Sequence, residues 1–124
     1  MAVNITPKEN LSYRVVKLAS TNAAANVNIT GGTATVYSFI VTNAANTAIS
    51  TCFYDGTFTS ASAVGTTAPT MIITVGAGAT KTVLVPEGLV FSTAINVWTK
   101  QQPGTAGTTA PAGGTVTVYL STGV

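Results

Sequence analysis

The stretch Gly114-Thr115-Val116-Thr117-Val118-Tyr119-Leu120 alternates without a break. In an extended chain, Val116, Val118 and Leu120 fall on one side and Thr115, Thr117 and Tyr119 on the other, because successive strand side chains point to opposite faces. A helix would scatter the same residues around its circumference. Residues 79–85 repeat the pattern, with Val83 and Val85 set against Thr82 and Leu84. Residues 33–41 place Tyr37, Phe39 and Val41 on one face and Val36, Ser38 and Ile40 on the other. That second face is apolar enough to predict a cover on both sides. Further strands are expected at 12–19, 25–30, 48–54, 70–75 and 95–100, with a short extended piece at 89–91. Thr and Val, stiff at their branched β-carbons and suited to a pleated surface, dominate throughout.

Between these runs lie turn signals: Gly31-Gly32, residues 43–46, Asp55-Gly56, residues 76–78, Pro86-Glu87-Gly88 and Gly113-Gly114. About eight short strands punctuated in this way predict an all-β fold, an antiparallel β-sandwich. The connections differ widely in length, which suits a jelly roll or Greek key better than a meander. A chain of 124 residues is one domain. It divides into an N-terminal arm, 1–11, and a single sandwich, 12–124. Pro7 has no N–H to give a ladder and Lys8-Glu9-Asn10 is a very polar run, so the arm reads as a contact element rather than a core strand.

Composition narrows function. Hydrophobic residues are 46% of the chain and charged residues only 6%, against about 25% charged in an average protein. Disorder is excluded, since disordered chains combine low hydrophobicity with high net charge. No run approaches the ~18 consecutive apolar residues of a membrane-spanning helix. Lys8, Arg14 and Lys17 sit near the N-terminus while Lys81 and Lys100 are isolated. They form no basic face for phosphates, and no nucleic-acid or membrane partner is expected. Residues 1–11 lack the apolar core of a signal peptide, so synthesis in a cytoplasm is expected.

Catalysis finds little to work with. Histidine is absent, and the acids are Glu9, Asp55 and Glu87. A Ser, Thr or Cys nucleophile needs a base beside it. Asp55 precedes Gly56 and Glu87 lies between Pro86 and Gly88, so both read as turn residues rather than a catalytic pair. No acidic cluster offers the oxygens a calcium ion requires, and Gly76-Ala77-Gly78 reads as a hairpin turn rather than a phosphate cradle. Cys52, the single cysteine, sits in a strand-like run and reads as a small buried hydrophobe. The chain is therefore expected to be non-enzymatic, with no catalytic residue, cofactor or metal site. Trp98 alternates with Asn96 and Lys100, which allows a solvent-facing ring beside polar neighbours. A lone tryptophan on a sandwich is more often core or interface than a sugar platform.

Two long connections, 57–69 and 101–113, contain the same pentapeptide, Gly65-Thr66-Thr67-Ala68-Pro69 and Gly107-Thr108-Thr109-Ala110-Pro111. Thr21-Asn22-Ala23-Ala24 is echoed by Thr42-Asn43-Ala44-Ala45. The flanking strands do not match, so the echoes read as compositional drift rather than structural repeats. Loops on a β scaffold are its natural contact surfaces, and the 101–113 loop is expected on the surface against a partner. Partner contacts are accordingly expected at Pro7, Lys8, Trp98, Pro103, Thr108 and Pro111.

A polar arm leads into Tyr13-Arg14-Val15-Val16-Lys17-Leu18, then a Thr/Asn/Ala-rich turn into Val36-Tyr37-Ser38-Phe39-Ile40-Val41-Thr42-Asn43. Cys52-Phe53-Tyr54-Asp55, a Gly/Thr/Pro loop, Met71-Ile72-Ile73-Thr74-Val75 and Pro86-Glu87-Gly88-Leu89-Val90-Phe91-Ser92-Thr93-Ala94-Ile95 follow. Over residues 12–120 this order resembles the small β-rich structural proteins of tailed bacteriophage virions. The resemblance implies a capsid decoration (cement) protein on the capsid exterior, made in the host cytoplasm. Its partners would be the major capsid protein and neighbouring copies of itself, as in a homotrimer. A tail, neck or fibre component, or a glycan-binding adhesin-like module, is the alternative.

Overall fold

The computed structural model describes residues 13–58 and 64–123. The arm at 1–11, with Pro7 and Lys8, lies outside the described residues. The described strands are β1 (Tyr13–Ala19), β2 (Ala34–Asn43), β3 (Ile49–Asp55), β4 (Met71–Val75), β5 (Thr80–Phe91), β6 (Ile95–Lys100) and β7 (Val116–Gly123). They form two antiparallel sheets, β1-β7-β2-β5 and β4-β3-β6, and no helix occurs among the described residues. The larger will be called sheet A and the smaller sheet B.

The alternation that begins the sequence reading decides the packing. Val116, Val118, Leu120 and Thr122 of β7 are buried, while Thr117, Tyr119 and Ser121 between them are half-buried on the other side. Phe39 and Val41 of β2 join them, and sheet B contributes Ile49, Phe53, Ile73, Val75, Ile95 and Val97. Phe39 meets Phe53 edge to face across the two sheets, with centroids 5.0 Å apart and planes at 70°. Such a pair adds about 0.5–1.5 kcal/mol beyond the area it buries.

Polar residues inside the sandwich are paired. Thr99 Oγ1 lies 2.9 Å from Thr21 Oγ1 and 2.8 Å from Thr51 Oγ1, a buried chain of hydroxyls. Asn43 Nδ2 donates to the carbonyls of Thr47, Val75 and Gly76, and its Oδ1 accepts from Ala45 N–H. Asn22 Oδ1 accepts from Ala24 N–H in the same way. The two Thr-Asn-Ala-Ala segments thus share one local solution, an Asx turn after the asparagine.

Three expectations are corrected. Val36 does not face away from Phe39 and Val41; it is fully buried with them. The register of β2 against both neighbours shifts between Val36 and Ser38, and the extra residue, Tyr37, resets the alternation. Pro86-Glu87-Gly88 does not end a strand either. Pairing passes from Ser38↔Leu84 to Val36↔Leu89, so residues 85–88 bulge from a β5 that continues to Phe91. Gly88 makes the bulge feasible at φ 83°, where a Cβ would lie 2.3 Å from Thr35 Cγ2. Finally, 25–30 is not a regular strand. It runs beside β6 through an isolated Asn26↔Val97 bridge. Further bonds run from Ile29 N–H to Ile95 O and from Thr99 N–H to Asn22 O. The effect is to cover an edge that would otherwise be open to association.

Candidate interface surfaces

Asp55 and Cys52 are committed to structure. Asp55 ends β3, and its carboxylate accepts from Ser92 N–H, Ser92 Oγ–H, Thr93 N–H and Ala94 N–H, tying β3 to the turn before β6. The Thr93 N–H, with those of Ser92 and Ala94, holds this carboxyl below the usual range, against a smaller opposing effect of desolvation. Oxygens filled by donors offer a cation nothing. Cys52 is fully buried, and burial pushes its thiol up to about 11 despite the nearby Lys100 charge. Glu87 lies exposed on the β5 bulge.

Sheet B turns its outer face to the protein's own loops. Cys52 and Trp98 are cross-strand partners there and pack with Phe58 and Val64 in a second, smaller core. The Phe58 and Trp98 rings have centroids 5.4 Å apart. Trp98 is 0% exposed, the core placement rather than the solvent-facing one, and it leaves no indole face for a sugar to stack on. Its place beside Cys52, packed against Phe58 and Val64, is what encloses it. Lys100, next along the same face, is also 0% exposed.

The 101–113 loop lies over this end of sheet B, braced from within. Lys100 Nζ donates to the carbonyls of Gly104 and Ala106. Gln101 N–H donates to Thr109 O at 2.9 Å, and the Gln102 side-chain amide bonds both the N–H and hydroxyl of Thr109. A loop ordered by its own chain does not need a partner to order it. Of the expected contact residues here, Pro103 and Thr108 are exposed and Pro111 is buried. Pro103 borders a cleft of about 240 Å³ with Ala48, Ile49, Ser50, Thr74 and Gln101. The two identical pentapeptides meet: a Cβ on Gly65 would stand 3.0 Å from Thr108 Cγ2.

Sheet A presents its outer face bare. Registered rows cross all four strands: Val15, Ser121, Ser38, Leu84; then Lys17, Tyr119, Ile40, Thr82; then Ala19, Thr117, Thr42, Thr80. Val15 is 69% exposed, Leu84 70% and Val90 58%. Lys17, the sole charge in these rows, holds its Nζ 5.8 Å from the Tyr119 ring centroid, close enough for a cation–π contact. None of these aliphatic residues was among the expected contacts. The signal for them was the alternation itself, since Leu84 lies opposite in phase to the inward Val83 and Val85.

No protein-family model matches the chain, and no curated protein matches it either.

Proposed function

We propose that the chain is a non-enzymatic structural protein of a tailed-phage virion, a capsid decoration protein that docks on the major capsid protein shell and strengthens it. The observation that carries the reading is the asymmetry of the two sheets. Sheet B is covered by its own loops over β3 and β6, leaving Ile72 and Thr74 of its edge strand β4 exposed, whereas sheet A offers a four-stranded open face of Ser, Thr and aliphatic side chains with one lysine in its rows. Burial of exposed Val15, Leu84 and Val90 against another surface is favourable at about 25 cal/mol per Å² of apolar area. About five to seven residues from each of its four strands present on the order of 400 Å², about half of what one side of a standard interface buries. One such contact is weak. Many symmetry-related copies on one shell add their contributions, and binding only to the assembled shell lowers that state's free energy.

The finer fold reading is a jelly roll. Counting 22–29 as a strand beside β6 makes the two sheets β1-β7-β2-β5 and (22–29)-β6-β3-β4, four strands each. Such interleaving is what two Greek keys wound together produce, an architecture that recurs in capsid and lectin domains. The test is to strip the protein from particles and compare heat-induced genome release with and without its re-addition. Release shifted to higher temperature by re-addition supports the reading. Unchanged release, or labelled protein found only on the tail, defeats the cement role.

A further inference from the structure

We propose that the 101–113 loop is a strap latched by Lys100, and that it opens as a unit while the sandwich stays folded. A lysine ammonium is costly to bury unless it is paired and hydrogen-bonded. Lys100 is 0% exposed, yet both of its hydrogen-bond acceptors are strap carbonyls, those of Gly104 and Ala106, and no carboxylate meets it among the described residues. The latch is therefore strained in one specific sense: opening the strap loses two charge-assisted bonds but returns a desolvated charge to water. Closed and open states lie close in free energy when such opposing effects meet.

Ala112 O accepts from Thr115 N–H and Oγ1–H at the strap's C-terminal hinge, and the bonds between the two limbs point the same way. Gln101 N–H to Thr109 O, Gln101 Nε2 to Ala110 O and the Gln102–Thr109 pair all lie within the loop, so they travel with it. Elements held by few bonds to the rest of the fold open before it does. Thr108 lies against Gly65, next to Val64, so an open strap withdraws the buttress from the Val64 side chain that helps to enclose Cys52 and Trp98. Cys52 thus becomes a reporter of the latch. This proposal stands apart from the capsid reading and survives its failure.

The test is Lys100→Met, which keeps the length of the side chain and removes its charge and donors. Labelling of Cys52 by a neutral thiol reagent should accelerate at least tenfold, with the β-sheet circular dichroism spectrum retained. Loss of the nearby positive charge raises the thiol pKa further and by itself slows labelling, so acceleration reports exposure. A folded variant labelled at the native rate overturns the latch. Hydrogen exchange on the unaltered chain decides the case if the variant does not fold. The amides of Gln101 and Thr109 should exchange at least tenfold faster than those of Cys52 and Trp98; equal rates overturn it.

Discussion

Thr99 shows how a single hydroxyl can serve two partners in a dry place. Thr99→Val keeps the shape of the side chain but leaves the Thr21 and Thr51 hydroxyls without their shared neighbour. A lost partner for a buried polar group costs about 1–3 kcal/mol, and urea unfolding should show a correspondingly lower midpoint with unchanged slope. Asp55 governs acid sensitivity. Its folded pKa is depressed, so its contribution is complete above the unfolded carboxyl value, ~3.9, and is lost as pH falls through the lower folded value. Urea midpoints measured downward from pH 6 should stay level and then fall below about pH 4. Asp55→Asn should be less stable at pH 6 and lack most of that decline. An interruption of regular pairing near Asp55 and Glu87 was legible from their Gly and Pro neighbours, although Asp55 still ends β3 and Glu87 sits on a bulge inside β5 rather than in a turn. The four donors on Asp55 were not, because Ser92, Thr93 and Ala94 come to it only through the β3–β6 pairing.

Strands were readable where alternation was uninterrupted and misread where one residue was inserted. β7 and β4 follow their expected ranges closely, whereas the face assignment along β2 fails at Tyr37 because period-two reasoning has no memory of a bulge. The β5 bulge carries a sharp expectation of its own. Gly88 combines φ 83° with a would-be Cβ position 2.3 Å from Thr35 Cγ2 and 3.0 Å from Tyr37 Cε1. Gly88→Ala adds backbone strain to overpacking, each about 1–3 kcal/mol. Its melting temperature should drop by several degrees, more than for Gly76→Ala, where nothing lies within 4 Å and no positive φ occurs. Proline and lysine on β5 also blunt that exposed edge: Lys81 reaches from it to Thr74 O at 3.4 Å.

At the scale of the whole molecule, the scarcity of charge is the property a partner would meet. The open rows of sheet A hold one cation, so association through them has little Coulombic content to screen. Re-addition of the protein to stripped particles should vary less than about threefold in affinity as ionic strength rises tenfold, since salt acts chiefly on exposed charge pairs. A tenfold or greater loss would point to a basic contact surface instead. The sandwich as a class was legible from composition and punctuation. Which of its faces stays bare was not, because that depends on where Phe58, Val64 and the 101–113 loop come to rest.

The position of β7 has a consequence in time. It is the last of the described strands, yet it lies inside sheet A between β1 and β2, with Tyr13 opposite Gly123. A ribosome adding roughly 5–20 residues per second needs several seconds to make the ~70 residues that separate Asn43 from its partner Val116. Until then β2 can pair with β5 on one side only, and β1 has no neighbour in its sheet at all. Sheet A is therefore completed after most of the chain has been made, and the uncharged β2 passes that interval with one edge open. The growing chain is most vulnerable to aggregation just before β7 arrives.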